Sequence, residues 1–261
     1  MGVLQLAAEL GQRTTPETLV YHQAGATTKQ LDLYRPVSTT NQFLAPVVIF
    51  VFGFPDALML ARRGRTLKDS EQYQAWAQLI AAAGYAAVTY ETEQPADDLG
   101  HLLHFLRQKG ADLGLDSGRI ALWACSGNVP TALATLMYQP DSCKAAALYY
   151  GPTLDEPGST TVAEAAREAG FANPSAGRTY DDLPANLPIL LVRAGHDYPP
   201  LNQTIDQLAT AALDRNLPLT LVNYAAGEHG FDIQDSSPAS HQIIQQTISF
   251  FAEHLQAPAG Q

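Results

Sequence analysis

The sequence predicts an α/β protein: a mostly parallel central sheet, flanked by helices on both faces, with a small cap insertion. Three observations predict this class. Short apolar runs alternate along the chain with segments of helical periodicity, an order typical of parallel strands joined by crossover helices. The central runs are apolar throughout, as in strands covered on both faces. One segment, residues 153–187, breaks the alternation with many Gly, Pro and Asn residues.

The first half of the chain supplies the early part of this pattern. Apolar runs predict strands at 18–25 and 29–36 (an antiparallel pair), 46–54 and 85–92, and helical spacing predicts helices at 68–83 and 95–110. The run PVVIFVFGF at 46–54 indicates a buried central strand, and a polar loop with RRGR follows it. The helix at 95–110 begins with acidic and ends with basic residues, which suits the helix dipole.

The second half continues in the same way. Strands are predicted at 119–126, 144–151, 188–195 and 218–227, and helices at 127–140, about 202–216 and 241–255. Residues 153–187 carry one short Ala/Glu-rich helix, and we predict that they form a cap or lid; a loose excursion stays open as the alternative. Ligands of such sheets bind at the carboxyl ends of the strands.

Length and composition limit the functions that this chain can have. The 261 residues predict a single domain, 1–261, with the cap within it. A formal net charge of −11 argues against a nucleic acid partner. Two cysteines, Cys125 and Cys143, make no disulfide framework and favour a reducing, cytoplasmic location. We expect no signal peptide and no membrane partner. The oligomeric state stays open, with a homodimer as one alternative.

The stretch LWACSGN, centred on Cys125, runs from an apolar strand into small, turn-tolerant residues. A nucleophile on a sharp strand-to-helix turn requires small residues two positions before and two after it. Ser126 at the centre places Ala124 and Asn128 there, whereas Cys125 would place the bulky Trp123. We therefore predict Ser126 as the nucleophile and Cys125 as a buried thiol. Glycine is more usual at the position of Asn128, and a purely structural turn stays open.

A serine nucleophile needs a base, and the base needs an acid to orient it. His229 lies in GEHGFD just after the last strand, and Asp197 lies in RAGHDYPP just after the preceding strand. Both loops should reach the sheet edge that carries Ser126. The order Ser126, Asp197, His229 is the order expected for this chemistry on such a sheet. We therefore predict these three residues as catalytic.

The motifs ACSGN, LLVRAGHD and GEHGFD resemble the α/β-hydrolase superfamily, in particular its dienelactone-hydrolase-like and carboxylesterase-like branches. The resemblance spans residues 45–255 and implies the α/β-hydrolase fold and acyl transfer. It also implies an oxyanion hole of backbone N–H groups, the first from Gly127. The family takes the second from the loop after an early central strand, here VFGFPD, where Phe54 is the best donor because Pro55 has no N–H. We expect Phe52, where the family often has His, and Gly53 to contact the substrate.

No cofactor and no metal are expected, because no His-Glu-x-x-His pattern and no Gly-rich phosphate loop occurs. His101 and His104 could share a metal, but a plain helix face is favoured. Arg62, Arg63 and Arg65 could meet an anionic substrate, but a solvated loop is favoured.

Several other polar residues lie near predicted strand ends. Glu91 and one of the pair Tyr149 and Tyr150 could line the pocket. Asp232 resembles a helix-capping residue, and His196 resembles a loop histidine rather than a second base.

The sequence thus predicts a serine hydrolase that cleaves carboxylic esters of small substrates through an acyl-enzyme, with a small-molecule ester as its partner. A lactone hydrolase of the dienelactone type and a peptidase on the same triad stay open. A non-catalytic protein that binds small ligands on the same fold also stays open, and Asn128 and Phe52 are the features that favour it.

Overall fold

Eight strands form one sheet in the computed structural model, which describes residues 2–25, 27–37 and 44–256 and leaves the Arg62 side chain outside the described part. The strands are β1 (Glu17–Ala24), β2 (Thr27–Tyr34), β3 (Ala45–Val51), β4 (Ala86–Tyr90), β5 (Leu115–Cys125), β6 (Ala145–Tyr149), β7 (Ile189–Ala194) and β8 (Leu219–Tyr224). Their spatial order is β1-β2-β4-β3-β5-β6-β7-β8.

The sheet is parallel from β4 to β8, and only β1 and β2 run antiparallel to their neighbours. The register aligns the carboxyl ends of the central strands: Val51 pairs with Ala124, and Cys125 pairs with Tyr149. The loops that follow β3, β5 and β6 therefore lie together at the carboxyl edge of the sheet. The predicted fold class, a mostly parallel sheet with helices on both faces, is confirmed.

Helices cover both faces of the sheet in the described residues. They are α1 (Gly2–Ala8), α2 (Asp56–Arg63), α3 (Glu71–Ala82), α4 (Pro95–Lys109), α5 (Val129–Tyr138), α6 (Thr161–Ala169), α7 (Pro199–Asp214), α8 (Phe231–Gln234) and α9 (Pro238–His254). One apolar core joins the sheet to α4, α5 and α7, and the other joins it to α1, α3 and α9. This double burial explains why the central strands are apolar throughout.

Three short helices depart from the sequence-based expectation. α2 occupies part of the region expected as a polar loop, and α1 and α8 were not expected. The signals for α2 are present, because Pro55 precedes it and Gly64 ends it in the left-handed conformation at φ +67°. The charged sequence RRGR favoured a solvated loop, so the helix signals at Pro55 and Gly64 were overlooked. α7 begins at Pro199, earlier than predicted, since two prolines suit a first helical turn.

The segment 153–187 is anchored to the rest of the fold. Both carboxylate oxygens of Asp155 accept N–H groups at the start of α6, from Val162 at 2.7 Å and Ala163 at 2.9 Å. The hydroxyl of Thr153 donates to the carbonyl of Thr204 in α7 at 2.6 Å. None of the helices in the described ranges combines the length and apolarity that crossing a membrane requires.

Candidate active site

Ser126 lies on a sharp turn between β5 and α5. Its backbone has φ +51°, a left-handed conformation that is uncommon for a residue with a side chain. A single 3-10 turn, Ser126–Asn128, leads directly into α5. Cys125 points the other way into the core, where burial raises the pKa of its thiol above the usual range. The turn therefore presents the hydroxyl of Ser126 and hides the thiol of Cys125.

The loops after β7 and β8 bring two further side chains to Ser126. The imidazole Nε2 of His229 is 2.8 Å from Ser126 Oγ, and its Nδ1 is 2.7 Å from Asp197 Oδ2. A carboxylate only accepts hydrogen bonds, so Nδ1 carries a hydrogen and donates a hydrogen bond to Asp197. Nε2 is then free to accept the hydroxyl proton of Ser126. The three residues predicted from separate motifs are together in the order that proton transfer requires.

The side chains of Asp197 and His229 differ in their exposure to solvent. The Asp197 side chain is 5% exposed, whereas that of His229 is 43% exposed. Asp197 Oδ1 also accepts the backbone N–H of Tyr198 at 2.7 Å, which fixes the carboxylate. The two loops are tied together by a backbone hydrogen bond, in which His196 N–H donates to the Gly227 carbonyl at 2.8 Å. His196 itself is exposed, in agreement with a loop histidine.

The backbone around Ser126 is tightly packed against the loop after β3. A Cβ on Gly127 would lie 2.7 Å from the Gly53 carbonyl oxygen, and a Cβ on Gly53 would lie 3.1 Å from Ser126 Cβ. The Gly53 N–H faces the buried Tyr73 hydroxyl and the Cys125 thiol. The next N–H along this loop belongs to Phe54, which lines the cavity beside Ser126 and Gly127.

Asn128 is accommodated because its amide has a buried partner. The side chain is fully buried, and its Nδ2 donates to the backbone carbonyl of Phe52 at the end of β3. Its Oδ1 accepts the Thr131 hydroxyl at 3.3 Å. The residue that stood out in the sequence thus connects the turn of Ser126 to the loop that carries Phe54.

Phe52 is not a substrate contact, which corrects the expectation from sequence. It is 1% exposed, and its ring lies 3.8 Å from the ring of Tyr73, centroid to centroid, in the core. Its side chain points to the face covered by α3, as that of Phe50 does, because the strand alternation continues one residue past β3. Gly53 contributes close backbone packing on Ser126 rather than a surface of the cavity.

A cavity of about 440 Å³ opens next to Ser126 and His229. Its wall is mostly apolar and comes from three places: the loop after β3 with α2, the segment 153–187, and the start of α7. The wall residues from these parts include Phe54, Leu58, Ala165, Phe171, Pro200 and Leu201. Glu168 lies on the wall and is exposed to solvent. A larger and more open depression of about 660 Å³ lies along α7, but Ser126 and His229 do not line it.

Asp56 is a buried residue that sequence reasoning missed. Its carboxylate accepts the N–H of Leu67 and the N–H of Thr92, each at 2.7 Å, directly after the Phe54–Pro55 dipeptide. Burial raises its pKa to about 6, against the opposing effect of these two hydrogen bonds. The signal available in the sequence was its position, an acidic residue at the first turn of α2 after Pro55.

Three further expectations are compared with the structure. Asp232, expected as a helix-capping residue, lies in the first turn of α8 but is fully buried and bonded to two aromatic side chains. Tyr149 and Tyr150 are both buried on the same face of the sheet, and neither lines the cavity. Tyr150 has φ +33°, which breaks the alternation expected of a strand. Glu91 accepts the N–H of Gln30 at 2.9 Å and also does not line the cavity.

The basic and histidine-rich segments lie away from the cavity. Arg63 and Arg65 are exposed and are not among the cavity residues, whereas the Arg62 side chain lies outside the described part. The ring of His101 stacks on that of His22 at 3.8 Å between centroids. Among the described residues, no group of three or more His, Cys, Asp or Glu side chains converges as a metal site would.

Solved structures similar to this chain define the fold. A bacterial heroin esterase superposes with a TM-score of 0.72 at 15% identity, covering 98% of this chain and 89% of its own. Carboxyl esterase 2 of the fungus Tuber melanosporum gives 0.73 at 16%, covering 95% and 90%. Thermogutta terrifontis esterase 2, phosphonylated by sarin, gives 0.73 at 18%, covering 95% and 98%. The fold is the α/β-hydrolase fold. No protein-family model and no curated protein sequence matches the chain.

Proposed function

We propose that this protein is a serine hydrolase that cleaves carboxylic esters of small substrates. The observation that carries the proposal is the unbroken path from Ser126 Oγ to His229 Nε2 and from His229 Nδ1 to Asp197 Oδ2, at 2.8 and 2.7 Å. A buried aspartate, an imidazole and a hydroxyl in this order activate a serine that is otherwise a poor nucleophile. The similar solved structures are esterases by name, which supports the same reaction class.

In the first half of the reaction, Ser126 Oγ attacks the ester carbonyl carbon and its proton moves to His229 Nε2. The carbonyl oxygen becomes negative, and the N–H groups of Gly127 and Phe54 stabilise it. The intermediate then breaks its bond to the alcohol oxygen, which takes the proton from His229. An acyl group remains on Ser126, and the alcohol leaves.

In the second half, a water molecule gives its proton to His229 Nε2 and attacks the acyl carbonyl. The carboxylic acid is released and the proton returns to Ser126. Asp197 stays ionised throughout, holds the imidazole in the correct tautomer and stabilises its charged form. The small exposure of the Asp197 side chain strengthens this interaction, because less solvent screens it.

The cavity supports a preference for small, largely apolar and uncharged or cationic esters. Its volume is about 440 Å³ and its wall is mostly apolar. Among the described side chains, Glu168 and Asp197 are the carboxylates that line it, and no described Lys or Arg side chain does. Anionic lactones would instead meet the carboxylate of Glu168 on this wall. Lactonase activity of the dienelactone type is therefore the weaker alternative.

The proposal is tested with short nitrophenyl esters and a fluorophosphonate probe. We expect rapid ester turnover and covalent labelling of Ser126 in the unaltered protein. Ser126→Ala should abolish the labelling and nearly all turnover, because no other hydroxyl of the described residues is hydrogen-bonded to His229. Cys125→Ala is the matched control, since its thiol is buried one residue away, and it should keep labelling. Labelling of Ser126 without ester turnover would favour a hydrolase of lactones or peptides. Binding of a small ligand, without labelling and without turnover, would favour a non-catalytic receptor.

A further inference from the structure

A buried carboxylate lies three residues beyond His229 and is not part of the triad. Asp232 is fully buried. Its Oδ1 accepts the hydroxyl of Tyr150 at 2.5 Å, and its Oδ2 accepts the indole N–H of Trp76 at 2.7 Å. Burial raises the pKa of Asp232, and these two hydrogen bonds and the nearby His229 oppose the rise. The carboxylate joins the loop of His229 to the end of β6 and to α3.

Tyr150 connects this carboxylate to the base of the triad. Its ring lies 4.8 Å from the ring of His229, centroid to centroid, at an interplanar angle of 62°. Its own backbone has φ +33°, which is a strained conformation for a bulky residue. Strain of this kind persists only where surrounding interactions hold the residue in place. Here the Tyr150 N–H donates to the Val192 carbonyl at 2.8 Å, and its hydroxyl is held by Asp232.

The chain just after Tyr150 also packs on the turn of the nucleophile. A Cβ on Gly151 would lie 2.4 Å from the carbonyl oxygen of Ser126. One short segment therefore contacts both the turn that carries Ser126 and the ring of His229. The segment therefore packs on both residues whose separation matters for proton transfer.

We propose that Tyr150 and Asp232 are positioning residues that hold the imidazole of His229 in line with Ser126. The inference rests on the proposed function, because it assigns a role within the same site. His229 lies in a loop and its side chain is 43% exposed, so burial alone does not orient it. Asp197 fixes one ring nitrogen, and Tyr150 restricts rotation of the ring about that hydrogen bond. A small displacement of a catalytic group lowers reaction rates strongly.

The test compares Tyr150→Phe and Asp232→Asn with Tyr149→Phe. Tyr149 is the matched control, since its hydroxyl is equally buried and lies 2.5 Å from Thr247 Oγ1, away from His229. We expect Tyr150→Phe and Asp232→Asn to lower kcat and the rate of fluorophosphonate labelling at least about fivefold, with KM changed less than about twofold. The double variant should be no worse than Asp232→Asn, because both changes remove the hydrogen bond that Tyr150 donates to Asp232. Tyr149→Phe should keep the rates of the unaltered protein.

Equal rates for Tyr150→Phe and Tyr149→Phe, in folded proteins, would overturn the inference. If Asp232→Asn fails to fold, the comparison of Tyr150→Phe with Tyr149→Phe alone tests the inference. Tyr150→Phe removes only one oxygen atom, so we expect it to fold. A second readout does not need an ester: the imidazole NMR signals of His229 should shift in Tyr150→Phe and not in Tyr149→Phe. If the unaltered protein neither labels nor turns over esters, the proposed function fails, and the NMR comparison still decides this inference.

Discussion

The side-chain amide of Asn128 donates a hydrogen bond to the backbone carbonyl of Phe52, joining the turn that carries Ser126 to the end of β3. Both residues are buried, so this carbonyl has no access to water as a substitute partner. The bond holds the loop of Phe54 beside Ser126. It explains how a side chain is tolerated, and used, where glycine would be expected.

Removing this amide should affect stability and catalysis together. Asn128→Asp keeps the shape but replaces the donor with an acceptor facing a carbonyl, and we expect a loss of about 1–3 kcal/mol in the free energy of unfolding. We also expect kcat to fall at least about tenfold as the Phe54 N–H shifts. Urea unfolding and ester kinetics measure these effects. Thr135→Val, which loses a buried hydroxyl elsewhere in α5, is the control and should keep kcat. An unaltered kcat in Asn128→Asp would contradict the expected link.

Gly127 has no room for a side chain. An added Cβ would lie 2.7 Å from the Gly53 carbonyl oxygen and 2.8 Å from Phe171 Cβ. Gly127→Ala must therefore displace the turn and its N–H, the proposed oxyanion donor, and we expect kcat to fall about 10²-fold or more. Gly100→Ala is the matched control, because its Cβ meets open space within α4. That change should raise stability by about 0.5–1 kcal/mol and leave kcat unchanged. Similar kinetics for the two variants would refute the packing argument.

Asp56 should make stability depend on pH below neutrality. Burial raises the pKa of this carboxyl to about 6 in the folded protein, from 3.8 when it is exposed. The folded state then binds more protons than the unfolded state between these values, so stability falls as pH rises from about 4 to 6. At about 1.4 kcal/mol for each pKa unit, the contribution lost is at most about 3 kcal/mol.

Unfolding in urea from pH 4 to 7.5 measures this effect for the unaltered protein and for Asp56→Asn. We expect the stability advantage over Asp56→Asn to shrink as pH rises through this window. Asp56→Asn should also be less stable overall, because an amide cannot accept both the Leu67 and Thr92 N–H groups. A constant difference between the two proteins across the window would show that Asp56 does not titrate there.

Glu168 should favour cationic over neutral esters of the same shape. It is the exposed carboxylate on the cavity wall, so the effect is modest, about two- to fivefold in kcat/KM. Acetylcholine and its neutral carbon isostere provide the comparison, and Glu168→Gln should remove the preference. Glu164→Gln is the control: this carboxylate lies on the same helix, accepts the Thr160 hydroxyl at 2.8 Å and is not on the wall. Added salt should weaken the preference in the unaltered protein. If Glu168→Gln and Glu164→Gln lose the preference for the cationic ester equally, Glu168 has no local role in it.

Local patterns in the sequence predicted most of the architecture. Continuous apolar runs identify strands buried on both faces, and helical spacing between them identifies the crossovers, so the parallel sheet follows from hydrophobic periodicity. Crowding around a strand-to-helix turn selects Ser126 over Cys125 because it depends only on immediate neighbours. The positions of Asp197 and His229 follow from the rule that parallel strands share a carboxyl edge. α2 was missed because the charged sequence RRGR at its end favoured a solvated loop over a helix.

Contacts between distant segments could be decided only by the tertiary structure. The sequence-based roles expected for three residues relied on their neighbours in the chain: Phe52, Tyr150 and Asp232. Their actual surroundings are formed by α3 and by the loops that pack on it. The left-handed backbone of Tyr150 has no local sequence signal, since a tyrosine adopts it only when other segments impose it. The sequence by itself determined the strands, the longer helices and the three aligned motifs, because these depend on short-range periodicity and sterics. Which buried groups support the site depended on long-range packing, which only the folded chain defines.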